Sequence, residues 1–167
     1  MNSFKIITTL ILSLAVGIPS TWSITQGIYY EAFEINLSEL EGIDFESLTP
    51  TAVGLTNQID IGPRTSDREF ALRFLGTLYI PNSGLWTFHL SSDDGSRLYI
   101  DGSDTPAVDN DGKHRLKTVS NTVQLAAGYY PVEVLYFQNE VGPSEVRLEY
   151  EGPGMERQEV SQDSYFN

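Results

Sequence analysis

The sequence predicts an all-β fold, an antiparallel sandwich or barrel. Apolar and polar residues alternate with a period of two along most of the chain, turn-forming pairs punctuate it at short intervals, and no stretch sustains a helical period. In Glu69-Phe70-Ala71-Leu72-Arg73-Phe74-Leu75 the alternation puts Phe70, Leu72 and Phe74 on one face. Ser96-Arg97-Leu98-Tyr99-Ile100-Asp101 turns Leu98 and Ile100 inward, and Glu145-Val146-Arg147-Leu148-Glu149-Tyr150 alternates strictly. Residues 84–90 and 129–137 are apolar on both faces and read as central strands, with Pro131 expected near the start of its strand, where a missing donor is tolerated. Pro81-Asn82-Ser83-Gly84, Asp94-Gly95, Asp101-Gly102, Asp111-Gly112, Ala127-Gly128 and Gly142-Pro143-Ser144 mark the turns. Asp-Gly pairs suit hairpins because both residues reach positive φ at low cost. Residues 37–48 are the best helical candidate, interrupted by Gly42 and followed by Pro50. Glu151-Gly152-Pro153-Gly154 closes the last strong strand.

The chain has 167 residues, enough for one domain with a real core. Its first 23 residues read as a secretory signal peptide: Lys5, an apolar run from Ile6 to Ile18, then Pro19 and the small residues Thr21 and Ser23 around the cut. The run is shorter than the roughly 20 apolar residues of a spanning helix. An N-terminal anchor is the alternative, because Trp22 is unusual beside a cleavage site. Residues 24–167 are then a single domain, secreted, extracellular or periplasmic. There is no cysteine, so neither a disulfide nor a lipid-modified cysteine is available, and stability must come from the core or a bound metal. The net charge of −13 argues against nucleic acid and anionic lipid as partners, and serves solubility.

Chemistry concentrates in two acidic turns, Ser92-Asp93-Asp94-Gly95 and Asp109-Asn110-Asp111-Gly112. Adjacent carboxylates repel, and a cation or strong donors offset that cost. Ca²⁺ takes six to eight hard oxygen ligands, of which Asp93 and Asp94 offer two carboxylates from one turn. Neighbouring side chains normally diverge, and a non-proline cis bond would let them converge. The other reading of Asp94-Gly95 is a plain hairpin turn with Asp93 as an exposed cap. The second turn fails as an EF-hand: with Gly112 at the loop glycine, Ala107 and Thr118 would fall at the first and last ligand positions. It is expected to be a hairpin with side-chain caps.

Catalysis is not expected. The two histidines, His89 and His114, are far apart and make no transition-metal site; His89 reads as a packed strand residue and His114 as a partner for nearby backbone or carboxylate. There is no G-x-S-x-G, phosphate loop or cysteine nucleophile. Glycoside-hydrolysing carboxylate pairs work across a gap of about 5 Å or more, which adjacent residues on one tight turn do not obviously provide.

The segment running from Gly84-Leu85-Trp86 through Ser91-Ser92-Asp93-Asp94-Gly95-Ser96-Arg97-Leu98-Tyr99-Ile100-Asp101-Gly102 resembles the core signature of the PA14 domain family. Val108-Asp109-Asn110-Asp111-Gly112-Lys113-His114 and residues 125–137 continue the resemblance, and Phe70 to Gly76 and Val146 to Tyr150 extend it over nearly all of the mature chain. The resemblance implies a β-sandwich or barrel found in toxins, glycosidases, adhesins and other surface proteins. For the lectin-like members it implies paired aspartates, joined by a cis bond, that bind Ca²⁺. Asp93 and Asp94 match them residue by residue. A second loop, here Gln138-Asn139-Glu140-Val141-Gly142-Pro143, then supplies an amide and backbone carbonyls. By this resemblance Asp93, Asp94, Asn139 and the Val141 carbonyl hold the metal. Asp93, Asp94, Gln138 and Asn139 contact the sugar, whose hydroxyls complete the shell. The second loop is short and carries no aromatic for stacking. The expectation is a secreted, non-catalytic, Ca²⁺-dependent carbohydrate-binding module. The alternative is a structural or protein-interaction module of a surface assembly, because fold does not settle function.

Overall fold

The computed structural model describes residues 26–166; the signal-peptide reading of residues 1–23 lies outside them. Eleven strands alternate with turns, and the helical content is two single 3-10 turns, Phe45–Ser47 and Gln162–Ser164. The interrupted helical candidate at 37–48 therefore yields only the first of these. In chain order the strands are β1 (Ile28–Glu34), β2 (Ala52–Thr56), β3 (Phe70–Ile80), β4 (Gly84–Asp93), β5 (Ser96–Ile100), β6 (Val108–Asn110), β7 (Lys117–Leu125), β8 (Gly128–Gln138), β9 (Glu145–Gly152), β10 (Met155–Glu159) and β11 (Tyr165–Phe166).

They form two antiparallel sheets. The larger runs β2-β1-β3-β8-β5-β6, with β11 also paired to β3; the smaller runs β10-β9-β4-β7. The core lies between them. Phe70, Leu72, Phe74, Leu98, Val134 and Tyr136 of the larger sheet meet Trp86, Phe88, Leu90, Val146, Leu148 and Tyr150 of the smaller. The alternation in the sequence thus maps onto the buried face, as a period of two requires. Trp86 stacks on Tyr150 with ring centroids 5.3 Å apart.

Chain order and sheet membership do not run together. β3 to β4, β4 to β5, β6 to β7, β7 to β8 and β8 to β9 each cross from one sheet to the other. The turn reading is corrected accordingly. Of the three Asp-Gly pairs only Asp101-Gly102 links paired neighbours, β5 and β6, with both residues at positive φ (61° and 66°). Asp111-Gly112 is not a hairpin but the corner between β6 and β7, and Asp94-Gly95 is the corner between β4 and β5. An Asp-Gly pair supplies the backbone freedom for a reversal; which sheet receives the next strand is decided by the core.

Pro131 lies inside β8, three residues past its first residue, Gly128. Its carbonyl accepts Asp101 N–H at 2.8 Å, so its missing N–H faces the same side, just beyond the last ladder pair of β5, Ile100 with Val132. The ladder therefore loses nothing there.

The outer face of the larger sheet carries a second apolar cluster. Phe33, Ala71, Leu135 and Phe137 are covered by Leu37, Leu40 and Phe45 from segment 35–48, which lies across the sheet as a strap. Next to this cluster the buried Arg73 pairs with Glu31, Glu46 and Glu133. The strap meets three of these crossings, β4 to β5, β6 to β7 and β8 to β9, at one end of the sandwich, where the Asp93-Asp94 pair sits.

Candidate functional site at the paired aspartates

β4 ends at Asp93, and the chain enters β5 at Ser96 through Asp94 and Gly95. Gly95 is required by close approach rather than by φ. A Cβ there would lie 2.5 Å from the Phe137 ring and 2.8 Å from Gly112 N. The corner is pinned by Ser92 Oγ and Ser96 Oγ, 2.7 Å apart across it. The Asp93–Asp94 peptide bond is cis.

Three segments converge on the two carboxylates. From the β6–β7 corner, His114 N–H donates to Asp94 Oδ1 and Leu116 N–H to Asp93 Oδ2, both at 3.1 Å. From the β8–β9 loop, Asn139 N–H donates to Asp94 Oδ2 at 3.0 Å. Asp94 N–H in turn donates to Gln138 Oε1 at 3.0 Å. Tyr136 Oη donates to the Asp93 carbonyl and also lies 2.8 Å from Gln138 Oε1. Burial first, and then the charges of Asp93 and Asp94, push the Tyr136 phenol well above its ordinary range, so it serves as a donor.

The pair is held by neutral donors, not by a cation. Among the described residues neither carboxylate has an ion-pair partner, although Lys113, His114 and Arg115 follow in the facing corner. Burial raises the Asp93 carboxyl above its ordinary range, the Leu116 N–H opposes that, and the Asp94 charge adds to it. Two neighbouring carboxylates without an ion-pair partner among the described residues fit a hard divalent cation. Among the described residues no group of three or more acidic or imidazole side chains gathers as a metal cluster. The rest of a shell would have to come from amide and carbonyl oxygens, water or a ligand.

The second loop departs from the expected ligand geometry at two positions. Gln138 is 3% exposed, and its amide is spent inside: Oε1 on Asp94 and Tyr136, Nε2 on the Glu140 carbonyl at 3.0 Å. It therefore sets the backbone of the pair and does not face a sugar. Asn139 meets Asp94 through its backbone, while its side chain faces the strap. Asn139 Nδ2 donates to Asn36 Oδ1 at 2.6 Å and to the Leu37 carbonyl at 2.7 Å, and Asn139 Oδ1 accepts from Lys113 Nζ at 2.6 Å. Val141 is exposed in the same loop. Reading the sequence missed Tyr136, Lys113 and the three backbone donors. Tyr136 was legible only as another inward position of β8, and backbone donors leave no mark in side-chain identity.

The other acidic turn is closed. Both Asp111 carboxylate oxygens accept Leu40 N–H at 2.9 Å, and Arg97 pairs with Asp111, Asp109 and Glu41. It clamps the strap. His89 is buried in β4 with Nδ1 2.7 Å from Ser120 Oγ, and both ring nitrogens of His114 face backbone carbonyls, those of Arg115 and Asn110.

The family model for the PA14 domain matches residues 26–164, spanning both sheets and the aspartate corner. The chain belongs to the PA14 family. Solved structures agree on the fold. The PA14 sugar-binding domain of an RTX adhesin aligns with a TM-score of 0.71 at 18% identity, covering 85% of this chain and 98% of that one. The epithelial adhesin 6 A domain of Candida glabrata, in complex with Galβ1-3GlcNAc, aligns with a TM-score of 0.65 at 16% identity, covering 89% and 90%. An anti-sigma factor domain-containing protein from Clostridium clariflavum aligns with a TM-score of 0.66 at 25% identity, covering 92% of this chain and 52% of that one. This PA14 chain spans about half the length of the anti-sigma factor domain-containing proteins it matches. No curated protein matches the sequence. Among the described residues no helix is long and apolar enough to cross a membrane.

Proposed function

We propose that this PA14 domain is a secreted, non-enzymatic carbohydrate-binding module that holds sugar through Ca²⁺ at Asp93 and Asp94. The observation that carries the reading is the pair itself: two adjacent carboxylates at one corner are held by the N–H groups of His114, Leu116 and Asn139, with no cationic side chain in ion-pair contact among the described residues. The shared fold of the PA14 sugar-binding domain of an RTX adhesin and of an adhesin domain in complex with a disaccharide supports it.

Asp93 and Asp94 would hold the metal, joined by Asn139 Oδ1 once Lys113 releases it and by the Val141 carbonyl. When bound, Ca²⁺ supplies open positions at which two neighbouring sugar hydroxyls replace water. The protein's part is orientation. Gln138 and Tyr136 fix the backbone of the pair from beneath, and the backbone donors of the two facing loops aim both carboxylates. One such site makes few contacts, so strong attachment would rely on several modules acting together.

Titration calorimetry with Ca²⁺, followed by a panel of monosaccharides, tests this. Heat from Ca²⁺ that disappears in Asp93→Ala is expected. No Ca²⁺ binding by the native protein, or unchanged binding in the variant, would sink the metal assignment.

A second reading, a non-catalytic structural or protein-interaction module of a surface assembly, draws on one observation. The Asn139 amide is already engaged by Lys113, Asn36 and Leu37. Capture of a surface protein that survives both EDTA and free sugar would favour it.

A further inference from the structure

We propose that a cleft beside the aspartate corner is a second sugar subsite, taking the next neutral sugar of a glycan whose first unit is held at Asp93 and Asp94. The proposal rests on the sugar reading above. The cleft has a volume of about 310 Å³ and is walled by Glu34, Ile35 and Asn36 at the end of β1 and by Ser66, Arg68 and Glu69 just before β3. That volume is at the lower end of the range for small-molecule sites.

The lining is chemically unusual for a surface cleft. Glu34 and Arg68 both line it, yet they do not pair with each other, and neither side chain has a hydrogen bond or ion pair among the described residues. A carboxylate and a guanidinium left free in one concavity offer acceptors and donors together, as a polyhydroxyl ring needs. Their neighbours are anchored. Ser66 Oγ is fixed on the Arg68 backbone, and Glu69 Oε1 accepts from Asn36 Nδ2 at 3.0 Å. Glu69 holds φ at 53°, a conformation that side-chain-bearing residues rarely adopt and that clusters at binding sites. Its carbonyl is tied to Ile35 N–H at 2.7 Å.

The cleft is also wired to the corner. Asp94 accepts from Asn139 N–H, the Asn139 side chain donates to Asn36, and Asn36 donates to Glu69. In the sheet, Glu34 pairs with Phe70 and Phe70 with Gln138, so the cleft lies at the ends of the two strands, β1 and β3, that come next to β8, which leads into Asn139. At about 4.8 Å per strand this is roughly 5–10 Å away, the span of one or two pyranose rings. Two carboxylates against one guanidinium leave the cleft net negative, which admits neutral sugars and repels uronic or sialic acids.

The test compares monosaccharides with disaccharides on the Ca²⁺-loaded full chain by calorimetry. The probes are galactose, mannose, glucose and N-acetylglucosamine, then Galβ1-3GlcNAc, Galβ1-4GlcNAc, mannobiose and cellobiose. One disaccharide should bind at least tenfold tighter than its better-bound component. Arg68→Ala and Glu34→Ala, both exposed and without side-chain partners, should each remove about tenfold of that gain, the loss of one hydrogen bond to a charged group, and leave monosaccharide affinity within twofold. Equal affinities for monosaccharides and disaccharides would overturn the subsite and leave the metal-bound sugar standing. So would variants that lower both alike. Failure of every monosaccharide and disaccharide to bind would overturn the parent reading and the subsite with it.

Discussion

The two acidic turns of this domain match in composition and differ in wiring. Asp109-Asn110-Asp111-Gly112 is paired: Asp111 takes the Leu40 N–H on both oxygens, and Arg97 lies against Asp109 and Asp111. Asp93-Asp94-Gly95 receives only neutral backbone donors, and its two carboxylates face each other's charge. A carboxylate satisfied by a guanidinium and a backbone donor is a structural clamp. A pair left with its charge uncompensated has capacity for a cation. The comparison teaches that an acidic cluster becomes a site through what its neighbours leave unpaired, not through the number of its carboxylates.

The comparison can be broken most decisively at Asp94. Asp94→Ala strands the N–H groups of His114 and Asn139 at a buried corner, so a loss of about 3 kcal/mol in urea unfolding is expected, together with complete loss of Ca²⁺ heat. Unimpaired Ca²⁺ binding would show that the pair is only structural. Asp111→Ala should cost about 2 kcal/mol by the same measurement, because Leu40 and Arg97 lose a shared partner, while the Ca²⁺ affinity stays within twofold. A large drop in Ca²⁺ affinity would mean that the strap, not the corner, governs the site.

Lys113 sharpens the contrast with a smaller effect of opposite sign. Its ammonium occupies Asn139 Oδ1, so Lys113→Met should tighten Ca²⁺ by about fivefold, whereas Arg115→Gln, which removes the same charge without freeing the amide, should change it less than twofold. Equal effects would reduce the role of Lys113 to general charge. The smallest expected effect is on pH dependence. Because the Asp93 carboxyl is raised in the folded state, the metal-free fold binds more protons than the unfolded chain between the ordinary aspartate value of about 3.9 and the raised one. Stability from this group is therefore complete below that window and declines as pH rises through it. Saturating Ca²⁺ should reverse the slope, read from melting temperature against pH. An unchanged slope would separate Asp93 from the metal.

Much of the fold was legible because it depends on local periodicity. Phe70, Leu72 and Phe74, Leu98 and Ile100, and Val146, Leu148 and Tyr150 all point where their alternation says, since a strand sends successive side chains to opposite faces. The corners were not. Asp94-Gly95 and Asp111-Gly112 carry the hairpin signal of Asp101-Gly102, yet they pass between sheets, because the partner of the next strand is chosen by burial across the core. The candidate site divides the same way. Asp93 and Asp94 stood out as adjacent carboxylates, whereas Gln138 and Asn139 were legible as residues of the facing loop but not in orientation. One amide turned inward to Asp94 and Tyr136, the other sideways to Asn36 and Lys113.

The amino-acid order alone therefore determined the β class, the inward face of each strong strand, the pairing of two aspartates on one turn and the resemblance to PA14 domains. These follow from periodicity and from residues adjacent in the chain. Only the tertiary structure decided that, among the described residues, the Asp93-Asp94 turn has no cationic side-chain partner while the Asp111 turn has Arg97, that Lys113 holds the Asn139 amide, and that Glu34 and Arg68 share a cleft without pairing. Each of these depends on side chains brought together from distant segments, and the hydrogen bonds and charges that then remain unpaired exist only once the two sheets have closed.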